Sequence, residues 1–279
     1  MNRLLFGASS AALLLAAAAP AAAEVATEPQ ATSVQDIIVT AQRREESAQK
    51  VGLALTVVSG EDLDKRNIQT VNDLENAVPS MEVDSQLGGG QPQFRIRGVG
   101  LTDYAANNTS TVGVYIDEVA YPYGVMTQGQ LFDIARIEVL RGPQGTLYGR
   151  NTTGGAVSVV TGAPTDYVAA GFNASYGSYD AAKFEGFVSG PVAGTLSARL
   201  AVAAETGGGW QYHRDTGETL GDKDTKALRL RLNWRPSDLT DLDLNVHYSQ
   251  DKSDGRGLRL ITTPFTSGGG KVYPIDTAH

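Results

Sequence analysis

The chain has 279 residues, with 23 Lys and Arg against 31 Asp and Glu, a net charge of −8 and no cysteine. Without cysteine there is no disulfide scaffold and no thiolate metal site, and an acidic balance does not suit nucleic-acid binding, which needs a basic face. His213, His247 and His279 are scattered without ligand spacing and no nucleophile elbow accompanies them, so neither a metal or cofactor site nor an enzyme's catalytic centre can be placed.

The first residues read as an export signal over positions 1–23. Arg3 supplies a positive start, Leu4 to Ala19 an apolar stretch broken by Gly7, Ser9 and Ser10, and Ala21-Ala22-Ala23 a small-residue cleavage site. A membrane anchor is the competing reading, but the stretch is short and alanine-rich for a span of about 20 strongly apolar residues. A mature chain would begin at Glu24, with a polar tail over 24–50. Inside that tail Asp36-Ile37-Ile38-Val39-Thr40-Ala41 is a β-favouring island, followed by the charged Gln42-Arg43-Arg44-Glu45-Glu46. A lone strand is unstable in water. Such an island either adds to an exposed sheet edge of another protein or forms an edge strand of its own domain.

From Val51 to about Ala163 strand and helix signals alternate. Strands are expected over Leu53 to Val58, Met81 to Asp84, Phe94 to Arg97, Val112 to Val119, Arg136 to Leu140 and Ala156 to Thr161. Gly60-Glu61-Asp62-Leu63 opens a short helix, with acids in its first turn. Thr70 caps a second over Val71 to Val78, with Asp73 three residues on and Pro79 ending it. These elements make an α+β domain of roughly 110 residues, enough for its own core. Asn108-Thr109-Ser110 and Asn151-Thr152-Thr153 are sequons in form only and read as loop polars.

Beyond Ala163-Pro164 the period becomes two. Val168, Ala170, Phe172, Ala174 and Tyr176 alternate with smaller or polar residues, and Lys183 to Ser189 forms a weaker strand. Leu196 to Ala204 alternate with Ser197, Arg199 and Glu205, Leu228 to Trp234 with Arg229, Arg231 and Asn233, and Leu242 to Tyr248 with Asp243, Asn245 and His247. One face of each strand is apolar and the other wet or charged. A soluble sandwich and a membrane barrel both alternate in this way. Connections separate them: Gly190 to Gly194 and Pro236 to Leu239 are tight, whereas Thr206 to Asp224 is long and polar. Short turns at one end and long loops at the other favour the barrel, with Gly177 to Asp180 a short exception. Trp234 and Tyr248 at strand ends suit interfacial girdles.

The run Arg141 to Thr161 carries the most information. It holds Gly142, Gly145, Gly149, Gly154 and Gly155 within fifteen positions, a density that breaks any helix and permits sharp bends. It is entered from Ile137-Glu138-Val139-Leu140 and left by Ala156-Val157-Ser158-Val159-Val160, and no Gly-Lys-Ser/Thr follows that would make it a phosphate loop. The order of Arg, Gly, Tyr and Asn around these glycines closely resembles the end of the plug domain in TonB-dependent outer-membrane receptors. Phe94-Arg95-Ile96-Arg97-Gly98 and Val114-Tyr115-Ile116-Asp117 extend the resemblance across the domain, and Asp36 to Ala41 resembles the TonB box.

The resemblance implies an α+β plug over 51–163, followed over 164–279 by the first antiparallel strands of a transmembrane β-barrel. The complete family member has 22 strands. About five are expected here, and single-chain bacterial barrels start at eight, so the chain reads as an N-terminal fragment. It implies a Gram-negative outer-membrane transporter rather than an enzyme, with the tail in the periplasm. The substrate would be an iron–siderophore complex, with a vitamin or saccharide as the alternative. The partners would be TonB, through Asp36, Ile37, Ile38, Val39, Thr40 and Ala41, and outer-membrane lipid. A soluble exported binding module is the reading from a different class; a hydrolase is weaker still.

By the same resemblance Arg97 and Arg141 face the plug–barrel boundary and pair with glutamates of later strands; the bland reading is two solvated surface arginines. The loops Val99 to Thr111 and Ala120 to Gly129 would face the ligand through Tyr104, Asn107, Asn108, Tyr121, Tyr123 and Gln128, since rings with a polar tip suit amphipathic chelates. Ordinary hairpin loops with structural tyrosines are the competing reading.

Overall fold

The computed structural model describes residues 38–40, 46–85, 91–101, 103, 105, 108–213 and 216–255. The expected signal peptide and most of the tail lie outside these residues, as do Asp36, Ile37, Ala41, Tyr104 and Asn107.

The first domain is built on a mixed sheet. Strands β1 (Ile38–Val39) and β2 (Glu46–Ser47) form a small antiparallel pair. β3 (Leu55–Ser59) leads into α1 (Gly60–Lys65), which Ser59 caps by accepting from the Asp62 N–H at 3.1 Å. The second expected helix is a 3₁₀ helix over Val71–Asn76. The Asp73 carboxylate draws in the backbone N–H groups of Gln69 (3.0 Å) and Thr70 (2.8 Å), tightening the first turn. Pro79 disfavours the helical region at Val78, so the segment ends early.

β4 (Met81–Ser85), β5 (Pro92–Ile96) and β6 (Val99–Gly100) form a three-stranded antiparallel sheet. Next come β7 (Val112–Ile116), β8 (Val119–Ala120) and β9 (Ile134–Arg141), then α2 (Gly145–Tyr148) and β10 (Gly155–Thr161). The expected strand Val112 to Val119 is split in two. Asp117 (φ 46°) and Glu118 (φ 68°) both adopt the left-handed region of a two-residue hairpin turn. The glycine run does contain one helical turn, α2, between Gly142 (φ 100°) and Gly149 (φ 82°); glycine ends it rather than preventing it.

The main sheet runs β3-β9-β10-β7-β8, with β10 and β7 parallel and the other pairs antiparallel. One face buries Val58, Leu74, Phe94, Ile137, Val139 and Val157 in the principal core. On the other face Leu140, Tyr115 and Ala156 are covered by Val39 and by Val51, Leu53 and Leu55.

The second layer is an antiparallel wall of five long strands: β11 (Ala169–Tyr176), β12 (Ala182–Ala193), β13 (Leu196–Gly207), β16 (Lys223–Ser237) and β17 (Thr240–Asp251). Between β13 and β16 the long polar loop carries a hairpin, β14 (Gln211–Tyr212) with β15 (Thr219–Leu220). The tight turns shrink to two residues each, Gly194-Thr195 and Asp238-Leu239, with Pro191 accommodated beside a register shift at the end of β12. The period-two pattern holds through the body of the wall, with register shifts beside the two tight turns, at Pro191/Ala193 and Trp234/Ser237. Phe172, Val188, Leu200, Leu228 and Leu244 stand on the outer, uncovered face, Phe172 at 81% exposure. Arg199, Arg229, Arg231, Asn245 and Glu185 point to the first domain. A soluble sandwich would bury the apolar face and wet the polar one. This wall does the reverse.

Candidate functional site: the plug–wall seam and the docked N-terminal strand

The inner face of the wall grips the first domain at two turns. At Phe132-Asp133 the backbone is left-handed (Asp133 φ 51°), which projects the carboxylate outward from the start of β9. Arg199 donates to it from Nε (2.9 and 3.1 Å) and from its terminal nitrogen, while Glu185 accepts from the Asp133 N–H at 2.6 Å. The Arg199 guanidinium also lies 3.7 Å from the Phe187 ring centroid, and Arg229 donates to the Phe132 carbonyl at 2.9 Å with its guanidinium 4.3 Å from the Phe132 ring. A Cβ on Gly162 would stand 2.5 Å from Arg199 Nε, so only glycine lets the guanidinium approach the backbone.

The second grip is at Asp117. Its carboxylate accepts from the Thr161 N–H (2.9 Å), the Thr161 hydroxyl (2.7 Å) and Asn245 Nδ2 (2.6 Å). Arg231 lies 3.7 Å away and donates to the Thr161 carbonyl at 3.2 Å. Close by, the Tyr121 hydroxyl is 3.4 Å from His247 Nε2. Burial raises the Tyr121 pKa above the ordinary phenol range, Arg229 opposes and Asp117 reinforces this, so at neutral pH Tyr121 remains a hydroxyl. The seam is therefore held by wall arginines on acids and carbonyls of the first domain. The alternation shows the interior polar positions of the wall, whereas nothing in the sequence around Asp117 or Asp133 shows which wall strand each carboxylate will meet.

Arg97 opens the two-residue turn between β5 and β6 with φ 52°, and its side chain is exposed. Arg141 ends β9, half-buried, with its Nε buried and without a hydrogen-bond partner. Neither makes a polar contact with the five strands of the wall among the described residues. Of the loop residues, Asn108 donates to Asp103 at 2.5 Å, and Thr109 bridges to Tyr123, joining the two loops. Tyr123 and Gln128 are exposed, as are Val125 and Met126 between them. Gln128 lines a cleft of about 280 Å³ against the outer ends of β13, β16 and β17. Tyr121 is half-buried, packed on the principal core.

The island's described part, Ile38–Thr40, lies on the first domain. Val39 is fully buried against Tyr115, Leu140 and Ala156, and Ile38 and Val39 pair with Ser47 and Glu46. Glu138, at 0% exposure, accepts from the Thr40 N–H at 2.9 Å, the Thr40 hydroxyl at 3.2 Å and Arg136 Nε at 2.7 Å.

Residues 47–156 match the family model described as the TonB-dependent receptor plug domain. The first domain is a TonB-dependent receptor plug. The chain is 29% identical over 241 residues to the iron-regulated outer membrane virulence protein of Vibrio cholerae, a match covering 80% of this chain and 35% of that one. It thus spans about a third of the length of the curated relatives it matches. Among solved structures it is similar to the ferric yersiniabactin uptake receptor of Yersinia pestis, with a TM-score of 0.61, 25% identity and coverage of 71% and 31% of the two chains. The ferripyoverdine receptor of Pseudomonas aeruginosa shares the fold at a TM-score of 0.64 and 18% identity, over 77% of this chain and 27% of that one. The alcaligin receptor of Bordetella pertussis does so at 0.62 and 20%, over 78% and 36%. The plug and these relatives place the protein in the outer membrane, and the uncovered apolar face of β11, β12, β13, β16 and β17 is the lipid-facing side of a barrel wall.

Proposed function

We propose that this chain is the plug and first wall strands of an energised uptake receptor that carries an iron–siderophore complex across the outer membrane. The observation that carries the reading is a plug domain seated on the polar inner face of strands whose outer face is apolar. The names of the relatives, an iron-regulated outer membrane protein and receptors for ferric yersiniabactin, ferripyoverdine and alcaligin, support the substrate class. In this reading the apical plug loops, through Tyr104, Asn107, Asn108, Tyr121, Tyr123 and Gln128, take part in substrate capture. Asp36 to Ala41 is the segment that pairs with TonB in the periplasm, where main-chain hydrogen bonds to an added strand supply affinity. Arg97 and Arg141 complete the plug–barrel contact with strands further round the wall. The domain limits we assign are 1–23 for the signal, 24–50 for the tail, 51–163 for the plug and 164–279 for the wall.

The deciding experiment is growth of a deletion strain under iron limitation, complemented with the full-length gene and supplied with individual ferric chelates. Rescue by a ferric siderophore supports the reading. Normal growth on every chelate, with a defect confined to a vitamin or a saccharide, replaces the substrate class.

A further inference from the structure

Glu138 is a charged residue with no exposure, in the middle of a plug strand. Its Oε1 receives three donors: the Thr40 N–H at 2.9 Å, the Thr40 hydroxyl at 3.2 Å and Arg136 Nε at 2.7 Å. Its Oε2 is buried and receives none. Two of the three donors thus come from one residue, 98 positions away in sequence. Arg136 ties the same group from the other side, its terminal nitrogen 3.3 Å from the Thr40 hydroxyl. Next to this clamp Val39 fills a fully buried position, and β2 occupies one main-chain edge of Ile38–Val39.

Hydrogen bonds to a charged acceptor are the stronger kind, and the docked segment supplies two of the three that Glu138 receives while covering it. Lifting Thr40 away exchanges both for water and leaves Arg136 as the remaining protein donor. We infer that Glu138, with Arg136, is a latch that keeps the 38–40 segment docked on the plug and withholds its strand edge from an incoming strand, Glu46–Ser47 serving as an internal substitute partner. Release requires loss of both Thr40 bonds and exposure of Val39. The consequence for energy coupling rests on the reading of Asp36 to Ala41 as the TonB-binding segment; the latch itself does not.

The chain has no cysteine, so Val39→Cys or Val157→Cys introduces a single thiol into the plug. Both positions are fully buried. In the complete receptor, the rate of maleimide labelling at position 39 reports undocking, and position 157 reports loss of the core. Glu138→Ala removes the acceptor, and Thr40→Pro removes both Thr40 donors, the N–H and the hydroxyl, while leaving β9 intact. Each should raise labelling at 39 by roughly tenfold to a hundredfold, the range for a charge-assisted hydrogen bond, with 157 still protected.

An unchanged rate at 39 in both variants overturns the latch, and so does equal opening of both positions in both variants. Should Glu138→Ala alone also open position 157, Thr40→Pro decides by itself. Binding of the periplasmic TonB domain is measured in parallel. In Glu138→Ala, which leaves residues 36–41 themselves unaltered, faster labelling with unchanged TonB binding upholds the latch and rejects the reading of Asp36 to Ala41.

Discussion

The seam at Asp133 offers a quantitative test of how the plug is held. Its ion pair with Arg199 is nearly water-free, the side chains being 4% and 11% exposed, so surface screening does not reduce it to the tenths of a kcal/mol typical of exposed pairs. Asp133→Asn is the right perturbation because asparagine tolerates the left-handed backbone (φ 51°) that alanine would strain. The amide oxygen still accepts one bond, but the charge opposite Arg199 is gone. Breaking one side of a buried pair costs about 3–5 kcal/mol, and the retained bond puts the expected loss near 3 kcal/mol. At about 1.4 kcal/mol per decade this is roughly a hundredfold increase in local opening. Hydrogen exchange on the purified full-length receptor reads it directly in peptides covering 131–137 and 160–164, since Gly162 N–H donates to the Asp133 carbonyl at 2.8 Å. Arg199→Leu alone should open the same peptides, and the double variant should recover much of the loss, because replacing both members of a buried pair is often near neutral. Unchanged exchange in Asp133→Asn, or strictly additive effects in the double variant, would refute the claim that this pair anchors the plug.

Three further outcomes are expected. Proline at Ile38 or Val39 removes a ladder hydrogen bond and should abolish uptake while leaving siderophore binding intact; transport of a radioactive ferric chelate beside an equilibrium binding assay separates the two. Leu244→Arg, on the uncovered outer face, should lower the stability of the membrane-inserted form by roughly 2–4 kcal/mol if position 244 lies near the bilayer midplane, whereas the inward neighbour Asn245→Ala should loosen the Asp117 contact without that penalty; denaturant titration in lipid vesicles compares them. Tyr123→Ala and Tyr104→Ala should weaken siderophore binding with plug folding unchanged, and binding constants equal to the unsubstituted receptor would return both tyrosines to a structural role.

The wall was the most legible part of the sequence. Period two fixes which side chains share a face, so Arg199, Arg229 and Arg231 on one side and Leu200, Leu228 and Leu230 on the other follow from counting. The plug's strands were legible to within a few residues, because Ile137 to Leu140 and Ala156 to Val160 are apolar runs bounded by glycine. Tertiary pairings across long separations were not. Glu138 in Ile137-Glu138-Val139 looks like an ordinary outward position of a half-buried strand, and only the return of Ile38–Thr40 over that face buries it. Asp117 and Asp133 likewise sit in turns, where an acid is commonplace. What makes them anchors is the wall strand that each meets.

The chemistry of the seam also explains how a plug can be both stable and displaceable. The plug carries its own core, with Phe94, Ile137 and Val157 fully buried within it. The seam, by contrast, is built largely of arginines on carboxylates and carbonyls, with Arg199 on Phe187, Arg229 on Phe132 and one small apolar contact of Phe132 with Ala201, Ala203 and Ala227. An apolar seam of similar area would hold in water as firmly as a domain core. A polar seam is strong only while it is dry, since charged groups that regain water lose little by separating. β9 links this seam to the N-terminal strand: Asp133 immediately precedes it and Glu138, which holds Thr40, lies within it. One short strand therefore separates the Thr40 contact from the Asp133 anchor. That strand is antiparallel to both β3 and β10, and their ladders resist it in shear. The two anchors thus lie on one strand or at its start, five positions apart, and that strand also carries Ile137 and Val139 of the plug core.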